Sequence, residues 1–297
     1  MTSALASALG AAVDDARAEP AGRVTDVYPA LATVDPGLLA AAVRGVHGDS
    51  ALAGDHPSPF ILMSVAKPFV LALAVDAEGA EAVLGRTGMS ATGLPFNDPE
   101  AIRASPDGRT NPMVNPGAIT AASLLPDEAA IRDGLSAFAG RPLDADRAMV
   151  DAIHASNQRN RLLAGLLEER GLLGAAVEDA LHLYTFQSCV GVTVGDLARM
   201  GAVLAGEGVD PDTGARVVTA EAADVALRAM ALAGLYEASH TWMAAVGVPA
   251  KSGIAGGLVM VAPGSGALAA YSPGLDGAGN PVRAQAVART MAPRLAR

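Results

Sequence analysis

Apolar positions along the chain change their period twice. From Ser64 to about residue 205 they recur at spacings of three and four, as in "NRLLAGLLEERGLL" (160–173) and "VGDLARMGAVLAGEG" (194–208), each closing at glycine. That spacing puts the apolar residues on one helix face, and glycine ends a helix at little steric cost. On either side the pattern shortens to strand-length runs: "AAVRGV" and "SALAG" before it, then "GVPAKSG", "GLVMVAP" and "GALAAYS" after Val246. The opening "MTSALASALGAAVDDAR" and the closing "NPVRAQAVARTMAPRL" read as helices. Strands near both chain ends with helices between them predict an α+β protein, its antiparallel sheet completed by the two ends.

Composition narrows the class. The 297 residues are 51% hydrophobic and 18% charged, enough apolar surface for a large folded core. The formal charge of −10 argues against nucleic acid and anionic membranes as partners. A single cysteine, Cys189, excludes an internal disulfide and suits a reducing compartment. The N-terminal run has no basic stretch and meets Asp14 and Asp15 early, unlike a secretory leader. The charge-free run 255–272 is cut by Pro263, Gly264 and Gly266, which suits two strands and a tight turn but not a membrane helix. The expectation is a soluble, cytoplasmic protein. None of His47, His56, His154, His182 and His240 falls at a metal-ligand spacing, and there is no phosphate-binding or dinucleotide-binding glycine pattern, so neither metal nor cofactor is expected.

The chemistry begins in "FILMSVAKPFVLALAV" (60–75), where an almost wholly apolar segment carries Ser64 and Lys67 three positions apart. Pro68 is tolerated mainly in a first helical turn, so it fixes a helix start near 64–68. Ser64 then sits where free N–H groups favour negative charge, and Lys67 shares its face. Apolar surroundings lower a lysine pKa and free its amine to take the serine's proton. Lysine usage sharpens this reading. Of 21 basic residues only Lys67 and Lys251 are lysine; the rest are arginine, which does not deprotonate in proteins. Lys251 begins Lys251-Ser252-Gly253, which resembles the K-[ST]-G strand that accompanies S-x-x-K in penicillin-recognising serine enzymes.

The wider context resembles the serine-dependent glutaminases from about Arg23 to the end. "GRVTDVYPAL", "SVAKPF", "NPMVNPGAI", "RNRLLAGLL", "VTVGDLARMGAVLAGEGVDP", "GLYEAS", "VGVPAKSGIAGGLVMVAPG" and "YSPGLDGAGNPV" occur in family order. The resemblance implies a β-lactamase/transpeptidase-like fold in one catalytic unit over residues 20–297. Residues 1–63 and 205–297 would contain the sheet, and 64–204 would be mainly helical. It implies hydrolysis of L-glutamine to L-glutamate and ammonia, without cofactor or metal, by a homo-dimer or tetramer. Ser64 would be the nucleophile and Lys67 its base, within hydrogen-bond reach of each other, with Tyr236 relaying protons. The N–H groups of Ser64 and Ile254 would form the oxyanion hole. Asn115, Asn160 and Tyr184 would hold the glutamine head group, with Lys251 and Ser252 supporting the site.

Three positions depart from the family pattern. Val27 stands where the glutaminases carry a tyrosine, and alternation along an extended segment would turn the adjacent Tyr28 the other way. Ile153, seven residues before Asn160, stands where the family has a glutamate that pairs with the substrate's α-ammonium; a small gap would align Asp151 there instead. Met63 replaces a glutamine before the nucleophile. Two other functions therefore stand beside glutamine hydrolysis: the same acyl-enzyme chemistry on another amide or ester, and a weakly active binding or regulatory relative. No S-D-N tripeptide accompanies the S-x-x-K, which weighs against a β-lactamase.

Overall fold

A computed structural model of the protein describes residues 2–295. Its five-stranded sheet is antiparallel throughout. The strands are β1 (Ala40–Gly45), β2 (Ser50–Gly54), β3 (Ala250–Ser252), β4 (Gly257–Ala262) and β5 (Gly266–Tyr271), in the spatial order β2-β1-β5-β4-β3. The two ends of the chain meet where Ala40 pairs with Tyr271 and Gly45 with Gly266. The turn Pro263–Ser265, cut from the charge-free run, joins β4 to β5 as the glycine and proline punctuation requires.

Along these strands alternate residues enter two separate cores. Val259, Val261, Ala267 and Ala269 face one; Leu258, Met260, Leu268 and Ala270 face the other. Both faces are covered by helices, which is why these strands read as continuous apolar runs. One face is closed by helices α1 (Thr2–Ala16) and α9 (Val282–Leu295), through Leu9, Val13, Val287 and Met291.

The other face carries the helical region: α2 (Lys67–Glu78), α3 (Asn115–Ser123), α4 (Arg147–Ala155), α5 (Gln158–Glu169), α6 (Val177–Ser188), α7 (Val194–Ala205) and α8 (Ala220–Ala233), with further helices between, among them Glu128–Ala139. α7 lies directly on β1, β4 and β5. A Cβ on its Gly201 would stand 2.6 Å from Ala267 Cβ, so glycine sets that close approach. Thr193 and Asp196 fix its start with a capping box. α8 follows residue 205 yet packs on α2, so helices from both sides of that boundary share one core. Among the described residues no helix is long and apolar enough to cross a membrane.

Candidate active site

Ser64 lies at the junction of sheet and helices. Phe60–Ile61 pairs with Gly191–Val192, then Met63 turns into the left-handed region at φ 47°. A methionine gains nothing from that conformation, so the surrounding packing must hold it there. A single 3₁₀ turn, Met63–Ala66, follows, and α2 begins at Lys67 with Pro68 in its first turn. The predicted helix start is therefore found. Ser64 is left half-buried in the turn that feeds α2.

Lys67 is 1% exposed, and that burial brings its ammonium from 10.5 down to about 7. Its Nζ donates to Asn115 Oδ1 at 2.8 Å and to Met113 O at 3.4 Å. The expected Ser64–Lys67 hydrogen bond is not formed in this state; Lys67 holds the carbonyl oxygens instead. The arrangement still suits a base. A neutral amine has two N–H groups and one lone pair, and these two acceptors use both hydrogens.

Tyr236 follows α8 and is the second strained residue here, at φ 57°. Its ring packs on Phe96 with centroids 4.8 Å apart, and its hydroxyl donates to Ser252 O at 3.4 Å. Burial pushes the phenol up to about 12. Lys251, on β3, lies 4.1 Å from the centre of that ring and donates to Gly234 O and Ser252 O. Its ammonium is held well below 10.5, first by burial and then by repulsion from Lys67. Ser252 turns its own hydroxyl away, to Asn280 Oδ1 at 2.5 Å, and meets Lys251 and Tyr236 through its carbonyl.

Gly253 brings β3 against the nucleophile. A Cβ there would lie 2.9 Å from Leu62 O and 3.3 Å from Ser64 N, so only glycine lets the two backbones come this close. The next amide is Ile254's. Neither the Ser64 nor the Ile254 N–H donates to an acceptor among the described residues. Both residues line the same cavity, and unused backbone donors are what an oxyanion requires.

Beside Ser64 opens a cavity of about 240 Å³, whose lining includes Asn115, Asn160, Tyr184 and Ile254. Asn115 opens α3, immediately before Pro116, and Asn160 is buried in α5 rather than exposed on it. Asn115 Nδ2 donates to Asn160 Oδ1, Asn160 to Asn157 Oδ1 and Asn157 to Thr185 Oγ1, at 3.0, 2.6 and 3.4 Å. Lys67 is thus the head of a chain of amides running along the pocket wall. Tyr184 stands with its ring 5.8 Å from Lys67 Nζ, its phenol raised well above 10 by burial.

Ile153 lines this cavity at 3% exposure, while Asp151 is exposed and outside it. Asp151 therefore supplies no carboxylate to the cavity lining. Val27 and Tyr28 both line the cavity, which corrects the expectation that Tyr28 faces away. The adjoining strand is only Arg23–Val24, and the chain bends at 27–28 into the short helix Pro29–Ala32, so strict alternation does not apply. Asn157, Arg159, Thr185 and Phe96 were not anticipated. Only Asn157 had a visible signal, three residues before Asn160 at helical spacing.

Comparison with known proteins gives one answer. The glutaminase family model matches residues 22–297. "Glutaminase 2" of Yersinia pestis is 44% identical over 91% of this chain and 82% of its own length. The glutaminase of Colwellia psychrerythraea is 40% identical over 90% and 88%. Among solved structures, a probable glutaminase superposes with a TM-score of 0.93 at 35% identity, covering 98% of this chain and 97% of its own. A probable glutaminase of Bacillus subtilis gives 0.87 at 26% identity, covering 99% and 96%.

Proposed function

The chain belongs to the glutaminase family and hydrolyses the side-chain amide of L-glutamine to L-glutamate and ammonia, and from that premise we propose a mechanism through a Ser64 acyl-enzyme. The neutral Lys67 amine takes the Ser64 proton as Oγ attacks the carboxamide carbon. The resulting oxyanion lies between the Ser64 and Ile254 N–H groups, an arrangement in which one donor contributes roughly 3–4 kcal/mol. Tyr236, protonated at neutral pH, relays a proton to the departing nitrogen, and ammonia leaves. Water then attacks the ester carbonyl, giving its proton back through the same groups, and glutamate departs with Ser64 restored.

What supports this reading most is that Ser64 and Ile254, each with an unused N–H, line one cavity, and that burial brings Lys67, three residues after the serine, down to about 7. Asn115, Asn160 and Tyr184 hold the substrate's polar head along the pocket wall. Lys251 packs against the Tyr236 ring and keeps it in place. We place the enzyme in the cytoplasm, on its acidic charge and its one buried thiol, and assign it to a dimer or tetramer, which light scattering would measure. The functional test is coupled detection of ammonia and glutamate. Lys67→Arg keeps the charge but removes any accessible neutral form, so turnover should fall at least about a hundredfold. Near-native turnover in that variant would remove Lys67 as the base.

A further inference from the structure

We propose that the head-group end of this pocket selects for the substrate's carboxylate and is indifferent to its α-amino group, so that ω-carboxamides of dicarboxylic acids lacking that amine are hydrolysed about as well as glutamine. The proposal rests on the glutaminase reading and names the substrate class that the same site takes.

The polar groups of the cavity are amides, hydroxyls and one guanidinium; no Asp or Glu is among its lining residues. Ile153 presents an apolar wall. Arg159, in the first turn of α5, is exposed at the cavity and forms no ion pair among the described residues. Nearby acids are engaged or turned outward: Glu178 is held by Arg161, and Glu237, whose charge is felt by Tyr236, is exposed and outside the lining. An ammonium entering such a space would exchange water for neutral oxygens and meet a positive field. A carboxylate would meet the same field favourably, together with a guanidinium shaped to bind it through two N–H groups. The asymmetry is chemical: one end of the zwitterion has a partner and the other has none.

The test compares kcat/KM for L-glutamine and 4-carbamoylbutanoate, which differs only by the missing amine. The two should agree within about tenfold. A charged pair removed from one partner's side typically changes affinity by about 30-fold or more, so a glutamine preference beyond that overturns the proposal while leaving the amidohydrolase reading intact. If neither amide releases ammonia, both readings fall. Ile153→Glu should raise the preference for glutamine by about 30-fold. Because that residue is buried and its variant could misfold, the exposed Arg159→Gln carries the second test. It should raise KM for both amides by about tenfold with kcat kept within a few-fold. An unchanged KM for both carboxylate-bearing amides in Arg159→Gln overturns the assignment of that residue.

Discussion

The Lys67 amine donates to Asn115 Oδ1 at 2.8 Å, so the group assigned as the base is held by a neutral amide rather than a carboxylate. The choice sets the working pH. Burial lowers Lys67 to about 7 because no negative charge stands beside it to favour the ammonium. The acidic limb of the pH–rate profile should therefore lie at neutrality, with kcat/KM rising as pH passes through about 7 and levelling above it.

Asn115→Asp keeps the shape and adds a charge. A carboxylate against the amine stabilises its protonated form by roughly one to three pKa units. Activity at pH 7 should fall at least about fivefold and recover progressively as pH is raised. A uniform loss at every pH would mean that Asn115 acts only through the substrate.

Stability should carry the same signature. Between about 7 and 10.5 the unfolded chain keeps a proton on Lys67 that the native protein has lost. Raising pH through this window therefore favours the native state, and below it the fold bears the full cost of a buried ammonium. Lys67→Met removes that term. Its stability relative to the parent should be highest near pH 6 and decline by a few kcal/mol toward pH 10, read from urea unfolding. Parallel pH curves for the two proteins would show that Lys67 is not desolvated.

Gly253→Ala tests the oxyanion pair. The new methyl would press on Leu62 O at 2.9 Å and on Ser64 N at 3.3 Å, shifting one donor by a few tenths of an ångström. The expected loss is roughly a hundredfold in kcat, with little change in KM. Gly165→Ala, in α5 with nothing within 4 Å of its added Cβ, is the control and should keep full activity.

Tyr236→Phe preserves the packing on Phe96 and the contact with Lys251 and removes only the hydroxyl. A proton relay lost in this way costs roughly a hundredfold to ten-thousandfold in kcat, with small effect on Tm. Turnover within a few-fold of the parent would leave Tyr236 a packing residue.

Much of this was legible in the chain itself. Ser64, Lys67 and Pro68 are local, so three positions within five residues announced both the helix start and the chemistry. The strands of the sheet showed in apolar runs bounded by glycine and proline. Other features were long-range and left no pattern. Asn157 completes an amide chain only because α3, α5 and α6 converge, and the 3₁₀ turn that presents Ser64 depends on Met63 being held at an unfavourable φ. Ser252 was expected to support the site and does so through its carbonyl, while its hydroxyl serves Asn280, 28 residues away. The orientation of Lys67 toward Asn115 rather than Ser64 likewise follows from tertiary contacts 48 positions apart.

Rapid acid quench of the enzyme during glutamine turnover, followed by mass spectrometry of its peptides, tests the Ser64 acyl-enzyme most directly. The peptide spanning residues 60–75 should carry one γ-glutamyl group on Ser64, and Ser64→Ala should show neither the adduct nor ammonia release. Continued turnover in Ser64→Ala, or an acyl group on any other residue, would contradict the assignment of Ser64 as the nucleophile.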